Sequence, residues 1–138
     1  AYIKPSNTQA NAWFGWSLAL SADGSTLAVG AMAEAGNGRG FNANQADRSA
    51  GGAGAAYLFQ RSGSTWAQKA YLKAPNADAG DLFGASMALS GDGKTLAIGA
   101  TAENSLTTGL QGNQADNSAL PGVPSYGVPT GVGAVYLY

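Results

Sequence analysis

The amino-acid sequence contains two copies of one unit. When the chain is shifted by 69 residues, residues 1–49 align with residues 70–118, and roughly half of the aligned positions are identical. The register does not slip until the second copy inserts ten extra residues, in a Pro- and Gly-rich stretch at 121–131. The repeat indicates that one structural unit is built twice, and the insertion marks a surface loop.

Each copy has the pattern of a small antiparallel β-sheet. Runs of alternating large and small side chains are separated by turn residues, and Asp23-Gly24 and Asp92-Gly93 supply the positive φ that a tight hairpin needs. Gly, with 21 residues, is too frequent for stable helices, and helical spacing of apolar residues is not sustained. The predicted strands A to D of the first copy are 16–20, 26–31, 55–59 and 66–73, and strands A to C of the second are 85–89, 95–100 and 134–138.

The strands have no strongly polar face. Leu18, Leu20 and Val29 alternate with small residues such as Ala19 and Ala28. A sheet of this kind suits a β-propeller blade, because neighbouring blades cover both of its faces and large side chains nest against small ones. The pattern fits a stacked blade better than a half-exposed sheet.

The repeated motifs resemble those of a known family. Phe14-Gly15 followed by Val29-Gly30-Ala31, and Phe83-Gly84 followed by Ile98-Gly99-Ala100, resemble the FG-GAP repeat of integrin α-subunit heads and related bacterial surface proteins. The resemblance covers nearly the whole chain. It implies a propeller fold, an extracellular or cell-surface location, and a role in binding or adhesion.

We therefore expect an all-β chain of two four-stranded antiparallel units, each a β-propeller blade. Blade 1 takes residues 1–69 and carries a leading outer strand at 1–4. Blade 2 takes residues 70–138 and has no outermost strand of its own. The ring or fibre would be completed by other chains or by sequence outside these residues.

The sequence departs from the family pattern in two ways. The Pro expected after Gly-Ala is Met32 in one copy and Thr101 in the other. Integrin-type blades can also carry a calcium loop with several carboxylates, whereas each turn here has one, Asp23 or Asp92. Calcium takes about 6 to 8 oxygen ligands, so we expect no cofactor; calcium is the alternative, which the shortened turns do not support.

Two acidic residues lie in the long loop between the second and third strands of each copy. Glu34 and Glu103 begin the loop, and with Asp47 and Asp116 they could form a loose oxygen site for a cation. A surface pair is the simpler interpretation.

Composition argues against several function classes. The chain has no Cys and no His, so it lacks thiol nucleophiles and the commonest general base, and no Ser has a recognisable base. We expect no enzyme activity. The net charge is −1 without a basic patch, and no apolar run approaches the about 20 residues of a membrane span, so we expect neither nucleic-acid binding nor membrane insertion.

Two blades cannot close a propeller, which has roughly 4 to 8. We expect self-association, through an N-terminal strand that completes the last blade of another copy and gives a ring or a filament. The alternative is a fragment whose other blades lie outside this sequence. Lys4 and Lys73 are interpreted as guards of a strand edge. The predicted assembly residues are Tyr2, Ile3, Lys4, Val135, Tyr136 and Leu137.

The predicted ligand-binding residues lie in the long loops and near the first strand. The loop residues are Asn44, Gln45, Asp47, Asn113, Gln114 and Asp116, and their alternative role is to bond the local backbone and hold the loop in shape. Trp13 and Trp16 are not repeated in the second copy and suggest a lectin-like sugar surface. The other Trp and the Tyr residues are interpreted as core. The leading hypothesis is an extracellular adhesion or structural module that binds a protein or a glycan, or builds a fibre through its own repeats. The alternative is a lectin-like carbohydrate-binding propeller, and an enzyme is the third hypothesis.

Overall fold

A computed structural model describes residues 1–116, 118 and 131–138. Most of the predicted insertion at 121–131, including Tyr126, lies outside the described residues. The described residues fold into two antiparallel β-sheets without a helix, which confirms the predicted all-β class.

The first sheet has four strands in sequential order. They are β1 (Ser17–Leu20), β2 (Thr26–Ala31), β3 (Ala55–Ser62) and β4 (Thr65–Leu72). Its strand ends differ slightly from the prediction: β4 stops at Leu72 because the Lys73 amide donates to the Gly40 carbonyl, at 3.0 Å, and leaves the sheet.

The second sheet has three strands in the described residues. They are β5 (Phe83–Leu89), β6 (Leu96–Ala100) and β7 (Ala134–Leu137), in that order. Its first hairpin repeats the turn of the first sheet. Asp23 accepts hydrogen bonds from the Ser21 hydroxyl and the Ser25 amide, which lower its pKa to about 2, and Asp92 is held in the same way. Each turn carboxylate is thus used to shape its own hairpin.

The two sheets pack face to face, with small side chains of the first against large ones of the second. Ala28 and Ala56 from the first sheet meet Phe83 and Ile98 from the second in one buried cluster. This is the nesting that the alternating pattern predicts. The sheets are therefore neighbouring propeller blades that bury one shared interface, and the ring is not closed.

Two motif glycines explain why the blades approach so closely. Gly84 has φ +89, and a Cβ at Gly30 would overlap the Gly84 carbonyl oxygen. The Ser17 hydroxyl donates to the same carbonyl at 2.7 Å. The Gly of Phe-Gly in one blade therefore lies on the Gly of Gly-Ala in the other, and neither position has room for a side chain.

Each blade also has a face that no described residue covers. Leu18 and Leu20 in β1 are more than half exposed, whereas their counterparts Met87 and Leu89 pack into the interface between the blades. On the opposite side of the second sheet, Val135 and Leu137 are 70% and 72% exposed.

The segment at 1–4 forms no strand, although it matches the end of β4 in sequence. Tyr2 and Lys4 are exposed, while Ile3 packs partly against the buried cluster on the outer face of the first sheet. No strand among the described residues pairs with this segment, and pairing is what makes an extended segment a β-strand.

Candidate functional site

A buried ion pair lies beneath the loop that follows β2. Glu34 is fully buried, and its Oε2 accepts hydrogen bonds from Lys73 Nζ at 3.0 Å, from the Tyr71 hydroxyl at 3.0 Å and from the Gly36 amide at 2.9 Å. Lys73 is also fully buried and donates to the Gly54 carbonyl at 2.5 Å. A charge pair out of water needs this many partners to be stable.

The other carboxylate oxygen of Glu34 binds the segment before β1. Asn7 Nδ2 donates to Glu34 Oε1 at 3.3 Å, and the Tyr57 hydroxyl donates to Asn7 Oδ1 at 2.7 Å. Arg48 lies 3.9 Å from the same carboxylate oxygen. We call these residues around Glu34 the occupied pocket; it joins four parts of the chain at the edge of the first blade.

Burial sets the protonation of this pocket. It lowers the pKa of Lys73, and the neighbouring Glu34 carboxylate opposes that effect. Burial and the same carboxylate raise the pKa of Tyr71, which keeps its hydroxyl a hydrogen-bond donor at physiological pH.

Two interpretations from the sequence are wrong here. Lys73 does not guard a strand edge, because its ammonium is buried on Glu34. Glu34 and Glu103 are not surface residues either, since the loop after each B strand folds its glutamate inward. Among the described residues, no group of His, Cys, Asp and Glu is arranged to hold a metal ion.

The second repeat builds the same pocket around Glu103. The Glu103 side chain is buried, and its Oε1 accepts hydrogen bonds from Asn76 Nδ2 at 3.1 Å and from the Ser105 amide at 3.0 Å. The Tyr136 hydroxyl donates to Asn76 Oδ1 at 2.7 Å, as Tyr57 does to Asn7. We call this the open pocket.

The open pocket has space where the occupied pocket has a lysine. A cavity of about 490 Å³ is lined by Glu103, Asn76, Tyr136 and Gly133 among the described residues. No described residue donates to Glu103 Oε2, and none of the ion pairs among the described residues includes Glu103. Residues 95–138 of the second repeat contain no Lys or Arg.

The predicted loop residues mostly bond their own turns. Their side-chain oxygens accept local backbone amides in four matched bonds: Asn44 from Ala46 at 3.0 Å, Asp47 from Ser49 at 2.7 Å, Asn113 from Ala115 at 3.1 Å and Asp116 from Ser118 at 3.0 Å. The serine hydrogen bonds lower the pKa of both aspartates. This geometry is that of the alternative, shape-holding role, and ligand binding by the loops stays a prediction.

The two glutamines of these loops differ in their surroundings. Gln45 accepts a hydrogen bond from the Ser6 hydroxyl and so ties the loop to the N-terminal segment. Gln114 is exposed and lines the cavity of the open pocket. Of these two glutamines, Gln114 lines the cavity that the described residues form, and Gln45 does not.

Trp13 and Trp16 form an exposed stack. Their rings lie 5.5 Å apart at an interplanar angle of 26°, and the side chains are 54% and 56% exposed. Trp16 continues the alternation of Leu18 and Leu20, so it lies on the uncovered face of the first blade. Most of the other aromatic residues lie in or against the core, as predicted, but Tyr2 is 89% exposed.

The sequence reasoning missed the two pockets, although a signal was present. Only 15 of 138 residues carry a charge, 7 basic and 8 acidic, and yet Glu34/Glu103 and Lys4/Lys73 are each preserved between the copies. Charged residues repeated in a chain so poor in charge are candidates for a structural ion pair. Placing them together required the fold.

A family model matches most of the chain. The FG-GAP repeat model matches residues 1–59 and 66–115. Neither a curated protein nor a solved structure is significantly similar to the chain. No helix among the described residues is long and apolar enough to cross a membrane. FG-GAP repeats typically occur in extracellular or cell-surface proteins, form propeller-type binding modules and are generally not enzymes. Phe-Gly and Gly-Ala meet at the interface between two blades here, and this chain belongs to the FG-GAP repeat family.

Proposed function

We propose that this chain is an extracellular or cell-surface binding and adhesion module whose blades assemble with other copies. One observation carries the proposal. The interface between the blades buries one face of each sheet. Among the described residues, nothing covers the other two faces, which are the Leu18 face of the first sheet and the Val135 face of the second.

The two uncovered faces are counterparts of the buried ones. Met87 and Leu89 of the second blade pack against the first blade, and Leu18 and Leu20 are their repeat equivalents. Met87 and Leu89 share a cluster with Ala56 and Leu58 of the first blade. The repeat equivalents of Ala56 and Leu58 in the second blade are Val135 and Leu137. A second copy stacked head to tail would thus repeat the internal interface.

Head-to-tail contact has a geometric consequence. The two faces are different surfaces, so the contact is heterologous and produces a ring if the rotation closes and a filament if it does not. Exposed apolar area of this extent on neighbouring strands is typical of interaction surfaces.

Substitution on either face tests the assembly. We expect Leu18→Glu and Leu137→Glu each to weaken self-association at least tenfold in sedimentation velocity, because a carboxylate would be buried against an apolar face. Leu110→Glu is the matched control, since Leu110 is exposed in a loop on neither face. Equal effects of all three, or a chain that is monomeric at every concentration, would reject the assembly.

A glycan ligand is the second candidate, and the Trp13–Trp16 stack favours it. Exposed aromatic rings present flat apolar surface on which a sugar ring packs. We expect glycan-array binding to be lost in Trp13→Ala and Trp16→Ala and kept in Tyr2→Ala, whose ring is exposed but not stacked. An array without any bound glycan counts against this candidate and leaves the assembly proposal intact.

The long loops provide the predicted contacts for a protein ligand. Gln114 lines a cavity, whereas Asn44, Asp47, Asn113 and Asp116 shape their turns. We expect Gln114→Ala to weaken capture of such a ligand without changing the melting temperature. Asp116→Ala should lower both ligand capture and the melting temperature, because it also removes the hydrogen bond that the Ser118 amide donates to Asp116.

A further inference from the structure

We propose that the open pocket and the free edge of β7 form a lysine-recognition site, and that its occupant is the segment at 1–4 of a second copy of this chain. Lys4 of that copy would bind Glu103, and Tyr2 would lie beside it. The inference rests on the proposed assembly and names the contact that gives it specificity.

The occupied pocket shows what such a site holds. Glu34 binds Lys73 and Tyr71, which belong to Ala70-Tyr71-Leu72-Lys73 at the end of β4. The sequence Ala1-Tyr2-Ile3-Lys4 matches this segment at all positions except Ile for Leu. Both donors to the carboxylate are therefore present a second time in the chain.

The acceptor side is also complete. Glu103 Oε2 lacks a donor among the described residues, and Gly133 is the repeat equivalent of Gly54, whose carbonyl accepts from Lys73. The cavity of about 490 Å³ includes Gly133 in its lining and leaves room for a lysine side chain. An ammonium there would repeat the bonds that Lys73 makes.

The strand register follows from the first sheet. Tyr57 pairs with Tyr71 and Ala56 with Leu72 between β3 and β4. By repeat equivalence, Tyr136 would pair with Tyr2 and Val135 with Ile3 of the second copy. The edge of β7 that would receive them has no strand beside it among the described residues.

The spacing between donor and next pocket matches as well. Within the chain, Lys73 binds Glu34 of one blade and Asn76, three residues later, binds Glu103 of the next. Asn7 binds Glu34 in its own copy, and Lys4 precedes it by the same three residues. When Asn7 binds Glu34 of its own copy, Lys4 is therefore positioned to enter the Glu103 pocket of the blade before it, which belongs to the other copy.

Charge complementarity selects the partner. Lys4 and Tyr2 are exposed in the single chain, whereas Glu103 is buried. None of the ion pairs among the described residues includes Glu103. A lysine donated by a second copy satisfies both sides.

Two variants and their mixture test the site with the full chain. By sedimentation velocity across a concentration series, we expect Lys4→Met to weaken self-association at least about 100-fold, because a buried carboxylate loses its cation. Lys94→Met, at an exposed hairpin turn, is the control and should associate as the wild type does. Glu103→Gln should lose association like Lys4→Met.

Mixing the two variants provides the sharper result. The Lys4→Met chain keeps its pocket and the Glu103→Gln chain keeps its lysine, so an equal mixture should form dimers although each variant alone is monomeric. Dimers in the mixture alone support the proposal, and their absence contradicts it.

The remaining outcomes separate this inference from the proposed function. If the wild type associates and Lys4→Met associates equally, the lysine site is wrong while assembly through the blade faces stands. If the wild type stays monomeric at all concentrations, the second copy is not the occupant, and both the inference and the assembly proposal are rejected.

Discussion

Glu34 and Glu103 occupy the same position in the two repeats, and their surroundings differ in the donors that reach each carboxylate. Both are buried, and both bind an Asn whose side-chain oxygen accepts from a Tyr hydroxyl. Lys73 and Tyr71 donate to Glu34, whereas no lysine and no tyrosine among the described residues donates to Glu103. The local sequence therefore builds each carboxylate pocket, whereas the cation arrives from a neighbouring strand.

The apolar faces show the same contrast. Phe14 and Phe83 each pack edge to face on a Tyr of their own blade, at 5.3 and 5.5 Å. Phe83 is completely buried because the first blade covers it, while Phe14 is only half-buried. Each blade of this chain thus buries its motif phenylalanine completely only when a neighbouring blade packs against it.

The largest effect is expected from removing the lysine of the occupied pocket. Lys73→Met would leave Glu34 buried without its cation and should lower the free energy of unfolding by about 4 kcal/mol. Lys4→Met, at an exposed residue, should change it by less than about 0.5 kcal/mol in the monomer. Urea unfolding of dilute protein measures both, and equal effects would contradict the distinction between the two lysines.

Truncating the motif phenylalanines should separate the covered face from the uncovered one. Phe83→Ala should cost about 3 to 4 kcal/mol, because it opens a cavity between the blades. Phe14→Ala should cost roughly half as much, since part of its ring is already in water. Chemical unfolding of the pair provides the test, and a larger cost for Phe14 would mean that the interface between blades contributes little.

The motif glycines test the same interface through the backbone. An added methyl group at Gly84 would meet the Ala55 carbonyl oxygen at 2.5 Å, whereas nothing lies within 4 Å of one at Gly15. Both have φ near +90, at +89 and +94, so both variants carry a similar backbone strain. We expect Gly84→Ala to cost about 3 kcal/mol and Gly15→Ala about 1. Similar melting temperatures for the two variants would argue against the close approach of the blades.

Asp81 should give the second blade a pH dependence that the first lacks, since Ala12 occupies the equivalent position. Burial raises the pKa of Asp81 to about 6 from its usual 3.8. The folded state binds the Asp81 proton more tightly than the unfolded state does. The resulting contribution to the free energy of unfolding is therefore fully present below about pH 4, is lost as the pH rises to about 6, and is absent above that pH.

Asp81→Asn isolates this effect. The side-chain amide of Asn can still accept the hydrogen bond of 2.8 Å from the Asp78 backbone amide. The variant should exceed the wild type in stability by about 3 kcal/mol at pH 7, with the difference nearly vanishing by pH 4. Unfolding curves across this range measure it. A difference that is constant with pH would assign the effect to packing instead of ionisation.

Much of the fold could be read from the repeat. The alternation in 16–31 and the Asp-Gly pairs predict the hairpins, because side-chain direction and turn conformation are local properties of the chain. The exposed Trp13 and Trp16 were also identified, since they break the repeat. The predicted role of Lys73 failed because position on a strand does not reveal which loop folds over its end.

The sequence by itself determined the strands, the turns and the small and large faces of two equivalent units, all of which depend on neighbours along the chain. Only the tertiary structure decided which faces are covered, that Glu34 meets Lys73 across 39 positions, and that Glu103 borders a cavity that no described residue fills. The physical reason is that the burial of a charge or an apolar face depends on what packs against it, and that partner comes from a distant part of the chain or from another molecule.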